Sequence, residues 1–163
     1  MKTGRPVSWN PIAALLPGVW TDVVPLTSKD RMVFPVAVRS SLRWLSATTG
    51  ILVTLGTDPL AELLAWEPDG VAQMERLKQM LIDMAEPNRG ELAIAAMDRY
   101  LRLTIDGTGR AVIPAVLVSH LEADDNDLIR VVLRNGRLWL WSERFWQAER
   151  TKRLQLLDAA GLR

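Results

Sequence analysis

Four basic residues lie close together in the N-terminal part of the chain, and their types suit the binding of phosphate. Lys29 and Arg31 flank a short polar turn. Arg39 and Arg43 are four positions apart, which would place both on one face of a helix. Lysine and arginine neutralise phosphates, and arginine can also donate two hydrogen bonds to guanine in the major groove. These residues are therefore candidates for nucleic-acid binding.

The elements that must position these residues follow from an internal repeat. The segment 26–42, LTSKDRMVFPVAVRSSL, recurs as 104–121, TIDGTGRAVIPAVLVSHL. Arg31 and Arg110 occupy the same place in the two copies, 79 positions apart, and a Pro follows each of them after the apolar run. Proline cannot donate to a β-ladder but suits the first turn of a helix. The repeat predicts a loop, a strand and a short helix, used twice, and it adds Arg110 to the candidates.

The net charge of the chain is only +1, but the charges are unevenly distributed. Residues 1–46 hold six basic and two acidic side chains, which gives +4. Residues 47–91 hold three basic and eight acidic side chains, which gives −5. The basic part coincides with the first repeat unit, although an ordinary solvated surface accounts for such scatter about as well.

Catalysis and metal binding find little support in the sequence. The chain has no Cys and a single His, His120, so thiol nucleophiles, disulfides and Cys/His-rich metal clusters are ruled out. Gly107 and Gly109 form a G-x-G without the third glycine of a phosphate-binding loop. The acidic stretch 123–127 lacks the spacing of a calcium-binding EF-hand loop and is typical of a solvated loop. We expect no enzyme activity, no catalytic residue, no cofactor and no metal.

The composition also predicts a location. No apolar run approaches the roughly 18 residues of a membrane span, so we expect no membrane partner. The stretch 11–20, PIAALLPGVW, contains two prolines and no small-residue cleavage site, which argues against a secretory signal. The absence of Cys fits a reducing compartment. We therefore expect a cytoplasmic protein.

Periodicity and turn composition predict the remaining elements. Asn135-Gly136 is typical of a type I′ hairpin turn, because both central positions of that turn need positive φ. Ser142 is placed to cap a last helix that runs toward Ala159. The other predicted elements are a short helix at 11–16, strands at 50–57, 60–66 and 100–105, and helices at 36–44, 71–84, 88–97 and 114–121.

The repeat unit resembles the AbrB-type swapped-hairpin DNA-binding module, in which D-x-x-G-R precedes an apolar strand, a Pro and a short helix. The second copy carries the whole pattern, at Asp106, Gly109, Arg110 and Pro114. The first copy departs from it, since Thr27 and Asp30 stand in the places of the Asp and the Gly. Two such units in one chain of 163 residues resemble the MraZ family of tandem-module regulators.

The resemblance implies an α+β fold made of tandem swapped-hairpin AbrB-like β-barrel modules with pseudo-twofold symmetry, flanked by helices. An N-terminal arm at 1–22 would precede a first module at 23–86 and a second module at 87–160. No linker rich in Ser or Gly separates the halves. We therefore expect one pseudo-twofold domain rather than two independent ones.

The resemblance further implies a nucleoid-associated transcriptional regulator that binds double-stranded DNA sequence-specifically and forms a ring-like homo-oligomer. In the family, the loop arginine is held by the module and the helix arginine faces DNA. Arg31 and Arg110 match the loop position, and Arg39 matches the helix position, where the second copy has Val118.

Two alternatives remain open. Asp106 and Arg110 could serve mainly to pin their turn by a charge-assisted hydrogen bond, with Gly109 as the turn glycine. The altered first motif, with Thr27 and Asp30, fits a second class of protein. This would be an AbrB-fold antitoxin or protein-interaction module that has lost direct DNA readout.

Overall fold

The computed structural model describes residues 10–16, 18–27, 29–46, 50–85, 87–124 and 127–162. Helices and strands alternate along the chain, with a 3₁₀ turn at Arg43–Ser46 and a π-helical turn at Trp66–Gly70. The strands are β1 Val19–Pro25, β2 Arg31–Val33, β3 Ile51–Leu55, β4 Leu60–Ala65, β5 Tyr100–Leu103, β6 Arg110–Val112, β7 Leu128–Arg134 and β8 Arg137–Ser142. The α-helices are α1 Pro11–Leu15, α2 Val36–Ser41, α3 Val71–Ile82, α4 Asn88–Arg99, α5 Ala115–His120, α6 Glu143–Ala148 and α7 Arg150–Ala159.

The strands form one six-stranded antiparallel sheet in the order β1-β7-β8-β4-β3-β5 and a separate two-stranded ribbon, β2-β6. The predicted α+β class is confirmed. Among the described residues the sheet is open, with β1 and β5 at its edges, rather than a closed barrel. The three-residue strands β2 and β6 pair with each other and do not bridge those edges.

Strand pairing is reciprocal between the two halves of the chain. β1 from the first half pairs with β7 from the second, and β5 from the second half pairs with β3 from the first. Val24 lies opposite Ile129, and the position 79 residues after Val24, Leu103, lies opposite Ile51. In the ribbon Met32 lies opposite Ala111, which are also 79 residues apart. Exchanging the halves therefore maps one set of pairs onto the other.

One continuous hydrophobic core joins both halves, because the inner face of the sheet and the buried face of the ribbon pack together. Phe34 follows β2, Leu117 lies on α5, and Leu63 and Leu140 lie on the central strands, and all four are at most 1 % exposed. Burying a side chain of this size stabilises the fold by roughly 1.5–3 kcal/mol. The ribbon thus rests on a packed base that both repeat units supply.

The helix of the first unit ends earlier than its sequence predicts. α2 stops at Ser41, and Leu42 is extended, with φ −120° and ψ 97°. The break lets Leu42 and Leu45 both enter the core. Arg39 and Arg43 therefore do not share one face of a continuous helix, and that prediction was wrong.

Two further predictions differ from the structure at the ends of the chain. Residues 19–22, expected within an N-terminal arm, belong to β1, and Trp20 packs against the core. The rest of that arm includes residues 1–9, which lie outside the described residues. The expected last helix is divided into α6 and α7, because Glu149 adopts φ −88° and ψ 4°.

Local signals at the second hairpin are confirmed. Asn135 and Gly136 have φ of 52° and 82°, as a type I′ turn requires, and they join β7 to β8. The Ser142 hydroxyl accepts a 3.2 Å hydrogen bond from the Phe145 amide and so caps α6.

Candidate nucleic-acid interface

The solvent face of the β2–β6 ribbon carries two of the predicted arginines. Because side chains alternate along a strand, Met32 and Ala111 point into the core and their neighbours point outward. Arg31 lies opposite Val112, and Val33 lies opposite Arg110. The two arginines therefore occupy one diagonal of a four-residue patch and the two valines the other. We call this patch the ribbon face; it consists of Arg31, Val33, Arg110 and Val112.

The turn before β6 orients Arg110. Asp106 Oδ1 accepts hydrogen bonds from the backbone amides of Thr108 and Arg110, each at 2.9 Å, and from Thr108 Oγ1 at 2.7 Å. Arg110 Nε lies 3.3 Å from Asp106 Oδ2 and 3.1 Å from Thr108 Oγ1. The backbone hydrogen bond from Arg110, followed by that from the Thr108 hydroxyl, lowers the pKa of Asp106 to about 2. The Arg110 side chain remains 59 % exposed, so it is both held and accessible.

The turn before β2 has the same backbone pattern with different side chains. The Thr27 amide donates to Arg31 O at 2.8 Å, as the Asp106 amide donates to Arg110 O at 2.9 Å. The Thr27 hydroxyl also donates to Arg31 O, at 3.0 Å, and it replaces the carboxylate of the second turn. Lys29 and Asp30 adopt left-handed φ of 67° and 55°. Thr27 and Asp30 thus preserve the turn, but the first turn has no aspartate at the Asp106 position.

Each turn is also fastened to the opposite unit. The Phe34 amide donates to Gly109 O at 2.8 Å, and the Ile113 amide donates to Asp30 O at 2.7 Å. These two bonds are equivalent when the halves are exchanged. Arg39 reinforces the first of them, since its Nε donates to Phe34 O at 2.9 Å and its side chain lies against Gly109. The ribbon and its turns therefore form one braced unit.

The structure places the predicted basic residues differently from one another. Arg31 and Arg110 share the ribbon face, and Lys29 is exposed in the turn that precedes β2. Arg39 is partly buried against the second turn, so part of its side chain has a structural role. Arg43 is exposed on the 3₁₀ turn after α2.

A cleft beside the ribbon contains an arginine that the motif did not indicate. It has a volume of about 610 Å³, and its lining includes Arg31, Arg102, Thr104, Asp106 and Arg110. The guanidinium of Arg102 stacks 4.0 Å from the centre of the Trp66 ring. The alternation of the predicted strand at 100–105 was the available signal, because it places Arg102 at an outward position.

Elsewhere in the described part of the chain, no group of three or more His, Cys, Asp or Glu side chains is arranged to hold a metal ion. His120 Nε2 lies 2.9 Å from Leu60 O and links α5 to β4. Part of the acidic stretch 123–127, residues 125–126, lies outside the described residues. The described helices include none that is both long and apolar enough to cross a membrane.

Comparison of the sequence with protein-family models gives no match, and no curated protein matches it either. The ribbon face, its two turns and the adjoining cleft are therefore the features from which a function can be argued.

Proposed function

We propose that this chain is a sequence-specific DNA-binding transcriptional regulator of the AbrB and MraZ type, and that its ribbon face contacts double-stranded DNA. The observation that carries the proposal is the pair of outward arginines, Arg31 and Arg110, on a two-stranded antiparallel ribbon. A ribbon of this kind fits the major groove, where arginine can pair with guanine O6 and N7. Arginine can equally contact phosphate and fix the register of the protein on the duplex.

The symmetry of the ribbon supports this proposal. Met32 and Ala111 lie opposite each other at its centre, and the two arginines are equivalent when the halves are exchanged. A DNA duplex has local twofold axes in its grooves, so a reader with an approximate twofold axis suits a short quasi-palindromic site. Differences between the turns, such as Asp30 against Gly109, would make the two half-sites unequal.

The proposal includes the architecture that the sequence resemblance implies. Reciprocal pairing of β1 with β7 and of β5 with β3 supports two swapped-hairpin modules fused in one chain. It also includes a ring-like homo-oligomer associated with the nucleoid. Exposed apolar side chains on α1, α4 and α7 support self-association, because a monomer seldom leaves so many in water.

One observation favours a protein-interaction module as the second candidate. Val33 and Val112 complete the ribbon face and are 44 % and 60 % exposed. Apolar side chains beside arginines are common at protein interfaces, where both are enriched or tolerated in the buried centre. In that case the arginines would bind acidic side chains of a partner protein.

A salt-titrated binding assay decides between these functions. The full chain is incubated with a pool of genomic duplex fragments, bound fragments are recovered, and the affinity of the best fragment is measured over a range of salt concentrations. A regulator should prefer particular fragments, and the logarithm of its affinity should fall linearly with the logarithm of the salt concentration. Absence of duplex binding at low salt would contradict the proposal and favour the interaction module.

A further inference from the structure

The cleft beside the ribbon has the charge of an anion site. Three arginines, Arg31, Arg102 and Arg110, and one carboxylate, Asp106, line it, which gives a formal charge of +2. Both oxygens of Asp106 already accept hydrogen bonds from its own turn, and one of them faces Arg110. The carboxylate is thus compensated locally, and the cleft as a whole attracts negative charge.

Arg102 is held in a definite position in this cleft. Its guanidinium stacks on Trp66 at 4.0 Å, and its Nε lies 3.2 Å from where a Cβ on Gly50 would be. Gly50, with φ of +102°, therefore leaves room for the guanidinium. Stacking occupies the face of a guanidinium and leaves its N–H donors in the plane, which is the geometry that phosphate oxygens need. Arg102 is exposed, so these donors lie near solvent.

We propose that this cleft binds a phosphate group and that Arg102 contacts it. The inference deepens the proposed function and rests on it, because the phosphate would belong to the DNA backbone next to the ribbon contact. Arg102 is on β5, four residues before Asp106, on the segment that leads into the second turn. A duplex on the ribbon face would therefore extend toward Arg102.

The proposed contact makes the DNA interface unequal. The position 79 residues before Arg102 is Val23, which lies on β1 at the opposite edge of the sheet. Valine cannot donate a hydrogen bond from its side chain. The second turn would thus hold one more backbone phosphate than the first.

The test uses the full chain, the duplex pool described above and three variants. Arg102→Gln should weaken binding roughly three- to tenfold and lower the salt slope by about one, because one phosphate contact is lost. Arg102→Lys retains the charge and should retain the salt slope. Arg144→Gln removes an exposed arginine from α6 and should leave both quantities unchanged. Thermal unfolding of each variant separates loss of contact from loss of the Trp66 stack.

The possible failures can be told apart. If the parent binds DNA and Arg102→Gln binds with the same affinity and slope, the inference is overturned while the proposed function stands. If the parent binds no duplex, the proposed function fails, and inorganic phosphate then tests the cleft alone. Stabilisation by phosphate, relative to chloride at equal ionic strength, in the parent but not in Arg102→Gln would retain the site for a free phosphate ligand. No such difference would overturn it.

Discussion

The side chain of Arg39 lies directly against Gly109, so α2 of the first repeat covers the turn of the second. A Cβ on Gly109 would lie 2.6 Å from Arg39 Nε and 2.7 Å from its Cδ. The same Nε donates to Phe34 O, and the Phe34 amide donates to Gly109 O. Gly109 is therefore required both by its φ of +85° and by the packing of Arg39.

Gly109→Ala should destabilise the protein by about 1–3 kcal/mol. An L-residue at this φ is strained, and the new methyl group would also displace Arg39 from its bond to Phe34 O. Chemical unfolding measures the loss. Gly107→Ala is the matched control, because a Cβ there meets nothing within 4 Å. An equal loss in both variants would show that turn flexibility, rather than the Arg39 contact and the left-handed φ, sets the cost.

Local chemistry made much of the fold predictable. The Asn135-Gly136 turn and the Ser142 cap depend on neighbouring residues, and both are found where the sequence places them. β1 was missed because its order comes from pairing with β7, more than 100 residues away, and its sequence includes the polar Thr21 and Asp22. Which strands pair across the halves cannot be read from either half alone.

The candidate site was predictable to a similar extent. The repeat located Arg31 and Arg110, and the structure places them on one face of the ribbon. The packing of Arg39 on Gly109 and the stacking of Arg102 on Trp66 join distant parts of the sequence. Such contacts depend on the tertiary fold and leave no local pattern.

The Asp106 turn should make stability depend on pH in the acid range. The folded-state pKa is lowered from 3.8 to about 2, so the carboxylate stabilises the fold fully above pH 3.8 and loses this effect as the pH falls through about 2. Asp106→Asn should therefore unfold at a lower temperature than the parent at pH 7, and the difference should shrink toward pH 2. Asp158→Asn, at an exposed carboxylate on α7, is the control. A difference that is constant from pH 7 to pH 2 would refute a role for the charge.

Self-association should depend on the exposed face of α4. No residue of this helix is buried, and Ile94 and Met97, three positions apart, are 67 % and 70 % exposed. Ile94→Glu should lower the mass measured by light scattering at micromolar concentration without lowering the unfolding temperature, because the side chain is not in the core. Ala95→Glu adds the same charge at the next exposed position and should change the mass less. A monomeric parent under these conditions would exclude the proposed assembly.

Binding of DNA by the ribbon face should require both of its arginines. Arg31→Gln and Arg110→Gln should each weaken binding by about 1–3 kcal/mol where the arginine contacts a base, and by less where it contacts only phosphate. A base contact should change which sequences are preferred, whereas a phosphate contact should lower the salt slope by about one with little change in preference. Fluorescence anisotropy over a salt series, with single base-pair changes in the selected duplex, measures both quantities.

The controls for the ribbon arginines follow from their surroundings. Arg110 bonds to Asp106 and Thr108, so Arg110→Gln can loosen its turn, and thermal unfolding must be measured beside affinity. Arg31 has Thr27 in place of that aspartate, so Arg31→Gln is the cleaner test. Arg150→Gln removes an exposed arginine on α7 and should leave binding unchanged. If both ribbon variants fold like the parent and bind the selected duplex equally tightly, the ribbon face does not read DNA, and the exposed valines between the arginines would point to a protein partner instead.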